Sequence, residues 1–205
     1  MQQEIFADRR RNSMKELDVA SSIDPDVRMI VRYLEGDQHA FDDIFHKYQT
    51  YVYNIILGII GTDDEARDTT QEVFLQVHRS LRTFRFQSQF ATWLYRIAVN
   101  RAMDAARAKK RRNWFSFEQT PKETPSPKPS PEEGAIEESE RKSIRDLLAI
   151  VPIQHRDVLV LKYYQEMSIE EIAETLGCSV TAAKVRLYRA RQYFKERYTA
   201  IHENE

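Results

Sequence analysis

The chain has 205 residues, 41% of them hydrophobic and 31% charged, with a formal net charge of −1; this fits one or two globular domains with a buried core and excludes a surface that is basic throughout. A single cysteine, Cys178, excludes an internal disulfide, and the five histidines show no metal-ligand spacing with it. No apolar run approaches the ~18 residues of a membrane span, and the opening MQQEIFADRRRNSMKELD lacks a signal peptide's apolar core, so a cytoplasmic protein without metal or cofactor is expected.

Residues 1–23 read as a flexible N-terminal extension. A first helical domain then covers 24–113, because apolar residues recur at spacings of three and four and alternating β-branched runs are missing. Its elements are a short helix from Pro25, a long one from Gln38 to Ile60 with Phe41, Ile44, Phe45, Tyr48, Val52 and Ile55 on one stripe, a third from Asp63 to Leu81, and a fourth from about Gln89 to Arg112. Gly36 and Gly61 punctuate the joins.

The third helix carries Glu65, Asp68, Glu72 and Leu75 on a stripe apart from Ala66, Thr70, Val73, Phe74 and Val77. Such a stripe fits either a basic partner helix or an ordinary solvated face. The fourth helix starts beside an aromatic group (Phe84, Phe86, Phe90, Trp93, Tyr95) and ends in a basic run, with a sum of +5 from Arg101 to Asn113. Cations among aromatics suit unwound DNA, since phosphates pair with Arg and Lys while unstacked bases find π-faces. The same pattern also fits a buried aromatic stripe with cations favoured by the helix dipole.

Between Trp114 and Glu140 stand five of the seven prolines, with two lysines against seven glutamates. A Pro-rich acidic linker over 114–135 is expected, extended at ~3 Å per residue. The second domain, 136–200, places a helix with Ile144, Leu147, Leu148 and Val151 before Pro152, and another with Val158, Leu159 and Leu161 after it.

A helix-turn-helix follows. Ser168 and Glu171 form a capping box, Gly177 suits the left-handed helix end, and Ser179 can cap a helix starting at Val180. Ala183, Leu187, Ala190 and Phe194 make one inward stripe on the last helix, everything else being read as facing out. Its outer face offers Thr181, Lys184, Val185, Tyr188 and Arg189, and Lys184 to Tyr198 holds six cations against one acid. A helix so presented can enter the major groove, with N-terminal residues reaching base edges and cations reaching phosphates.

Three segments in this order and separation, EARDTTQEVFLQVHRSLRTF (65–84), FATWLYRIAVNRAMD (90–104) and SIEEIAETLGCSVTAAKVRLYRAR (168–191), resemble the extracytoplasmic-function group of bacterial sigma-70 factors over about 28–198. The resemblance implies an all-α, non-enzymatic protein of two small domains, region two and region four, with core RNA polymerase and promoter DNA as partners and no small-molecule substrate. It implies that Glu65, Asp68, Gln71, Glu72 and Leu75 dock on the clamp helices of the largest polymerase subunit, while region four meets the flap. Trp93, Arg96, Asn100 and Arg101, with the loop Arg85–Gln89, would bind and open the minus-ten element, and Thr181, Lys184, Val185, Tyr188 and Arg189 would read the minus-thirty-five element. An anti-sigma factor is a further expected partner, and the free protein is expected to be a monomer.

Arg67 and Thr69 depart from the acidic and aliphatic residues common in the family's polymerase-binding helix, and Val185 replaces a small polar or cationic one. Added charge beside Asp68 by phosphorylation of Thr69 or Thr70 would alter docking. The rival readings are a stand-alone helix-turn-helix regulator, which needs a dimer interface, and an adaptor that binds only protein through the acidic stripe.

Overall fold

The computed structural model describes residues 24–115, 148 and 151–202. Seven α-helices and no strand occur among the described residues. The extension 1–23, most of the linker and the helix around Ile144 lie outside them, apart from Leu148 and Val151.

Local chemistry sets most boundaries. Helix α1 (Pro25–Leu34) starts where the Asp24 carboxylate accepts the Asp26 amide at 2.8 Å, with proline in the first turn. Helix α2 (His39–Ile60) stops at Gly61, whose φ of +87° only glycine adopts without strain. Helix α3 (Asp63–Ser80) opens on Asp63, Asp64 and Glu65 and closes on His78 and Arg79, each sign matching its dipole end. Its expected last residue, Leu81, belongs to a tighter 3₁₀ turn, Leu81–Thr83. Helix α4 (Phe90–Phe115) runs three residues past Arg112. Then come α5 (Ile153–Tyr163), α6 (Ile169–Leu176) and α7 (Val180–His202).

Helices α1, α3 and α4 surround α2, so that Ile30, Ile44, Val52, Ile55, Val73, Val77, Leu94 and Ala98 share a fully buried core. Each large aliphatic residue there contributes about 1.5–3 kcal/mol relative to exposure. In the second unit, Val158, Leu161, Ile172, Ala183 and Ala190 do the same among α5, α6 and α7.

The two units meet. The end of α2, Ile55 to Ile60, is buried on every side, which requires neighbours on more than one face. Its second neighbour is α5, while α6 lies against α4. A Cβ on Gly58 would stand 2.7 Å from a methyl of Val160, so the approach of α5 requires glycine. Arg156 of α5 donates from Nη1 to the Ile59 carbonyl at 3.0 Å.

Candidate nucleic-acid interface

The helix-turn-helix forms as its residues dictate. Glu171 N–H donates to Ser168 Oγ at 3.2 Å, Ser168 N–H donates to the Glu171 carboxylate at 2.7 Å, and Gly177 sits in the left-handed region at φ +61°. Ser179 Oγ accepts the Ala182 amide at 3.1 Å and starts α7. Ala183, Leu187 and Ala190 are buried and Phe194 half-buried, which turns Thr181, Lys184, Val185, Tyr188 and Arg189 to solvent on one face. Tyr188 is 63% exposed and Val185 42%, so this face offers apolar surface beside its cations.

The remainder of α7 does not all face out, which corrects the sequence reading. Arg186 donates to Asp157 at 2.5 Å, and Tyr193 is half-buried beside the His155 ring. Asp157 is 3% exposed and also accepts its neighbour Val158's amide at 2.7 Å. Burial raises its carboxyl pKa above the ordinary value, against the opposing pull of Arg186.

On the first unit, Trp93, Arg96, Asn100 and Arg101 come together. With Gln76, Ile97 and Asp104 they line an open groove of 430 Å³ between α3 and α4. Asn100 is exposed, and Arg101 Nε is aimed by Gln76 Oε1 at 2.9 Å. Trp93 is half-buried, its ring 5.1 Å from Phe84 and 5.7 Å from Phe90, so one edge anchors in the core while another faces the groove. The inner side of this helix is the buried aromatic stripe, and its outer side leaves Trp93, Asn100 and Arg101 open to the groove. Tyr95 leaves the aromatic group: it is buried on the far side, 6.3 Å from Tyr48. In the adjoining loop Phe86 holds φ +54°, a conformation costly for a bulky residue, with its ring 4.9 Å from Phe84.

Arg96 reaches across to the second unit. Its Nε donates to the Thr175 carbonyl at 3.3 Å and its Nη2 to that of Glu174, both in the last turn of α6. Gln76, Asp104, Asp157 and Arg186 have no role in the sequence reading. Gln76 had a signal, standing one turn from Glu72 and beside Leu75 on α3.

The acidic stripe divides. Asp68, Gln71, Glu72 and Leu75 are exposed, Leu75 by 58%. Glu65 instead turns to α4, pairing with Lys109 at 2.7 Å and Arg112 at 3.6 Å and accepting from Thr62 at 2.6 Å. Its partial burial would raise its pKa, but the hydrogen bonds from Lys109 and Thr62 outweigh that and hold it below the ordinary value. Arg67 pairs with Asp63 at 2.7 Å and lies over the Tyr53 ring. Thr69 and Thr70 are buried, and the Thr70 hydroxyl donates to the Ala66 carbonyl at 2.7 Å. Neither is open to a kinase in this fold, and Thr69 fills a core position rather than altering the docking face.

Among the described residues no helix is long and apolar enough to cross a membrane. Residues 44–112 match the family model for sigma-70 region 2, and residues 141–193 that for sigma-70 region 4. The chain is 30% identical over 176 residues to the ECF RNA polymerase sigma factor SigW of Bacillus subtilis, covering 82% of this chain and 94% of the relative. It is 33% identical over 175 residues to the RNA polymerase sigma-H factor of Pseudomonas aeruginosa, covering 82% and 90%. It is similar in fold to CnrH in complex with the cytosolic domain of CnrY, with a TM-score of 0.65, 22% identity and coverage of 86% and 99%. The sigma factor RpoE, solved with the anti-sigma factor NepR from Bartonella quintana, gives a TM-score of 0.59 at 18% identity, with coverage of 78% and 96%.

Proposed function

The chain belongs to the extracytoplasmic-function group of the sigma-70 family of RNA polymerase sigma factors, and on that premise we propose how its residues divide the work. It is a non-enzymatic initiation factor that binds core RNA polymerase and directs promoter-specific transcription by recognising and melting promoter DNA. Region two spans 24–113 and region four 136–200, joined by the linker 114–135.

Trp93, Arg96, Asn100 and Arg101 bind and open the minus-ten element. The observation that carries this assignment is their convergence on one groove. Arg101 and Arg96 can meet phosphates, Asn100 can hydrogen-bond a base edge, and the half-buried Trp93 offers a fixed π-face to an unstacked base. Thr181, Lys184, Val185, Tyr188 and Arg189 read the minus-thirty-five element in the major groove, supported by their shared exposure on α7.

Asp68, Gln71, Glu72 and Leu75 dock on the polymerase clamp helices, with Glu65 holding the start of α3 against α4 beside them, and region four meets the flap. The likeness in fold to RpoE, solved with the anti-sigma factor NepR, supports an anti-sigma factor as a further partner. Each domain alone makes few phosphate contacts, so the free chain, a monomer, binds DNA weakly and gains specificity when polymerase holds both domains on one promoter.

The test is run-off transcription with sigma-free core polymerase on fragmented genomic DNA, with sequencing of transcript 5′ ends. Discrete starts sharing two spaced upstream elements are expected. No added transcripts, from a core that responds to a control sigma factor, would turn the reading to a stand-alone regulator.

A further inference from the structure

The loop between the 3₁₀ turn and α4, residues 84–89, alternates in exposure. Arg85, Gln87 and Gln89 are exposed, whereas Phe84, Phe86 and Ser88 are half-buried. Among the described residues no backbone–backbone hydrogen bond involves 85–88. In the middle of this stretch Phe86 takes φ +54°, a region that glycine enters freely and a bulky side chain only at a cost. Its ring offsets that cost. It lies 4.9 Å from the ring of Phe84, which is itself 5.1 Å from Trp93 and 5.8 Å from Phe90. A turn without backbone bonds is thus tied, ring by ring, to the edge of the groove between α3 and α4.

We propose that Phe86 is a positioning residue for promoter melting: its left-handed turn, clamped to Phe84 by its ring, holds Arg85 and Gln87 outward as a preformed seat for a base leaving the minus-ten duplex. The proposal rests on the assignment of Trp93 and Asn100 to the minus-ten element. Strain at a bulky residue persists only where its surroundings over-determine it, and here one half-buried ring does so. The reversal at Phe86 is also what lets Arg85 and Gln87, on either side of an inward ring, both reach solvent. A base that leaves its stack loses pairing and stacking at once. A seat already in its binding conformation spends nothing on ordering at that moment, whereas a loose loop does. Phe86 therefore acts through the loop it shapes, and its effect falls on the melting step.

The test compares full-length variants with core polymerase on one promoter in two forms, fully duplex and pre-melted across the minus-ten element. Phe86→Gly keeps the φ without strain but removes the ring and frees the loop. On duplex DNA it should initiate about tenfold less than the parent, and on the pre-melted template within about twofold of it. Phe86→Asn, which tolerates the left-handed region yet has no ring, should repeat this pattern and guards against a folding defect peculiar to glycine. Phe86→Tyr keeps the ring and should match the parent on both templates. Undiminished duplex initiation by Phe86→Gly or Phe86→Asn overturns the proposal, as do equal losses on the two templates, which a merely structural role would give. If the parent initiates on neither template, the functional reading falls and the proposal with it; if the parent initiates and only the difference between templates is missing, the role of Phe86 alone falls.

Discussion

Asp157, directly before the apolar run Val158 to Leu161 on α5, holds Arg186 of α7 at 2.5 Å, so a nearly inaccessible carboxylate ties the last helix to its support. Arg186 lies between Val185 and Leu187, one exposed and one buried, and its direction sets the roll of α7. Removing one member of a buried pair strands the other charge, at a cost of about 2–3 kcal/mol where the partner keeps some solvent contact. Asp157→Ala should lower the midpoint of thermal unfolding by about 5–10 °C and weaken minus-thirty-five binding as well. The check is calorimetry beside promoter binding by holoenzyme, and unchanged stability would remove Asp157 from this role.

Lys184, Tyr188 and Arg189 touch nothing that α7 needs for folding, since the inward stripe is Ala183, Leu187 and Ala190. Arg189→Ala and Lys184→Ala should leave the unfolding midpoint in place. If each reaches a base or phosphate, initiation at a promoter with an intact minus-thirty-five element should fall by about 1–3 kcal/mol of binding, tenfold or more. Run-off assays on promoters with and without that element separate the two cases. Equal losses on both would show that the residues act elsewhere.

What the chain makes visible in sequence is what is local. The Ser168–Glu171 box, Gly177 and Ser179 each settle their own turn, so the helix-turn-helix could be drawn residue by residue. The residues proposed to meet the minus-ten element came from the family resemblance alone, and the groove they line also needs Gln76 from another helix. The bonds of Arg96 to Glu174 and Thr175 span nearly eighty residues and leave no periodic trace. One signal for the seam was present: Ile55 to Ile60 is apolar on every face, too much for a helix packed in one unit alone. Comparison of residue types marks Thr69 as a departure from the family but does not tell its burial: its neighbour Asp68 is exposed while Thr69 points to the core.

Leu75 offers the cleanest probe of polymerase docking. It is 58% exposed beside the exposed Glu72 and Gln71, so water already solvates its side chain and Leu75→Asp should change stability by less than about 0.5 kcal/mol. A leucine buried in a docked interface contributes about 1.5–3 kcal/mol, so affinity for core polymerase should fall by tenfold or more. Glu65→Ala should behave differently, lowering stability through loss of Lys109 and Arg112. Fluorescence anisotropy with labelled chain and core polymerase decides it. Undiminished affinity of Leu75→Asp would move the docking face away from this stripe.

The response of stability to acid should combine groups of opposite sign. Hydrogen bonds to Ser168 hold the Glu171 carboxyl below its ordinary 4.5, and Glu65 is likewise lowered, its bonds from Lys109 and Thr62 outweighing burial. Groups lowered in the folded state stabilise it above their unfolded pKa, and that contribution disappears as pH falls through the folded value. Asp157 runs the other way: burial raises it above 3.8, so the folded chain keeps its proton longer and its contribution is greatest at low pH. Below about pH 4.5 the two glutamates should therefore produce a falling limb that Asp157 partly offsets. Thermal unfolding between pH 3 and 6 should show a shallower limb for Glu65→Gln/Glu171→Gln, in which glutamine can still complete the capping box. Asp157→Asn should show a steeper limb. A glutamine double variant with the parent's slope would mean that other carboxylates govern the acid response.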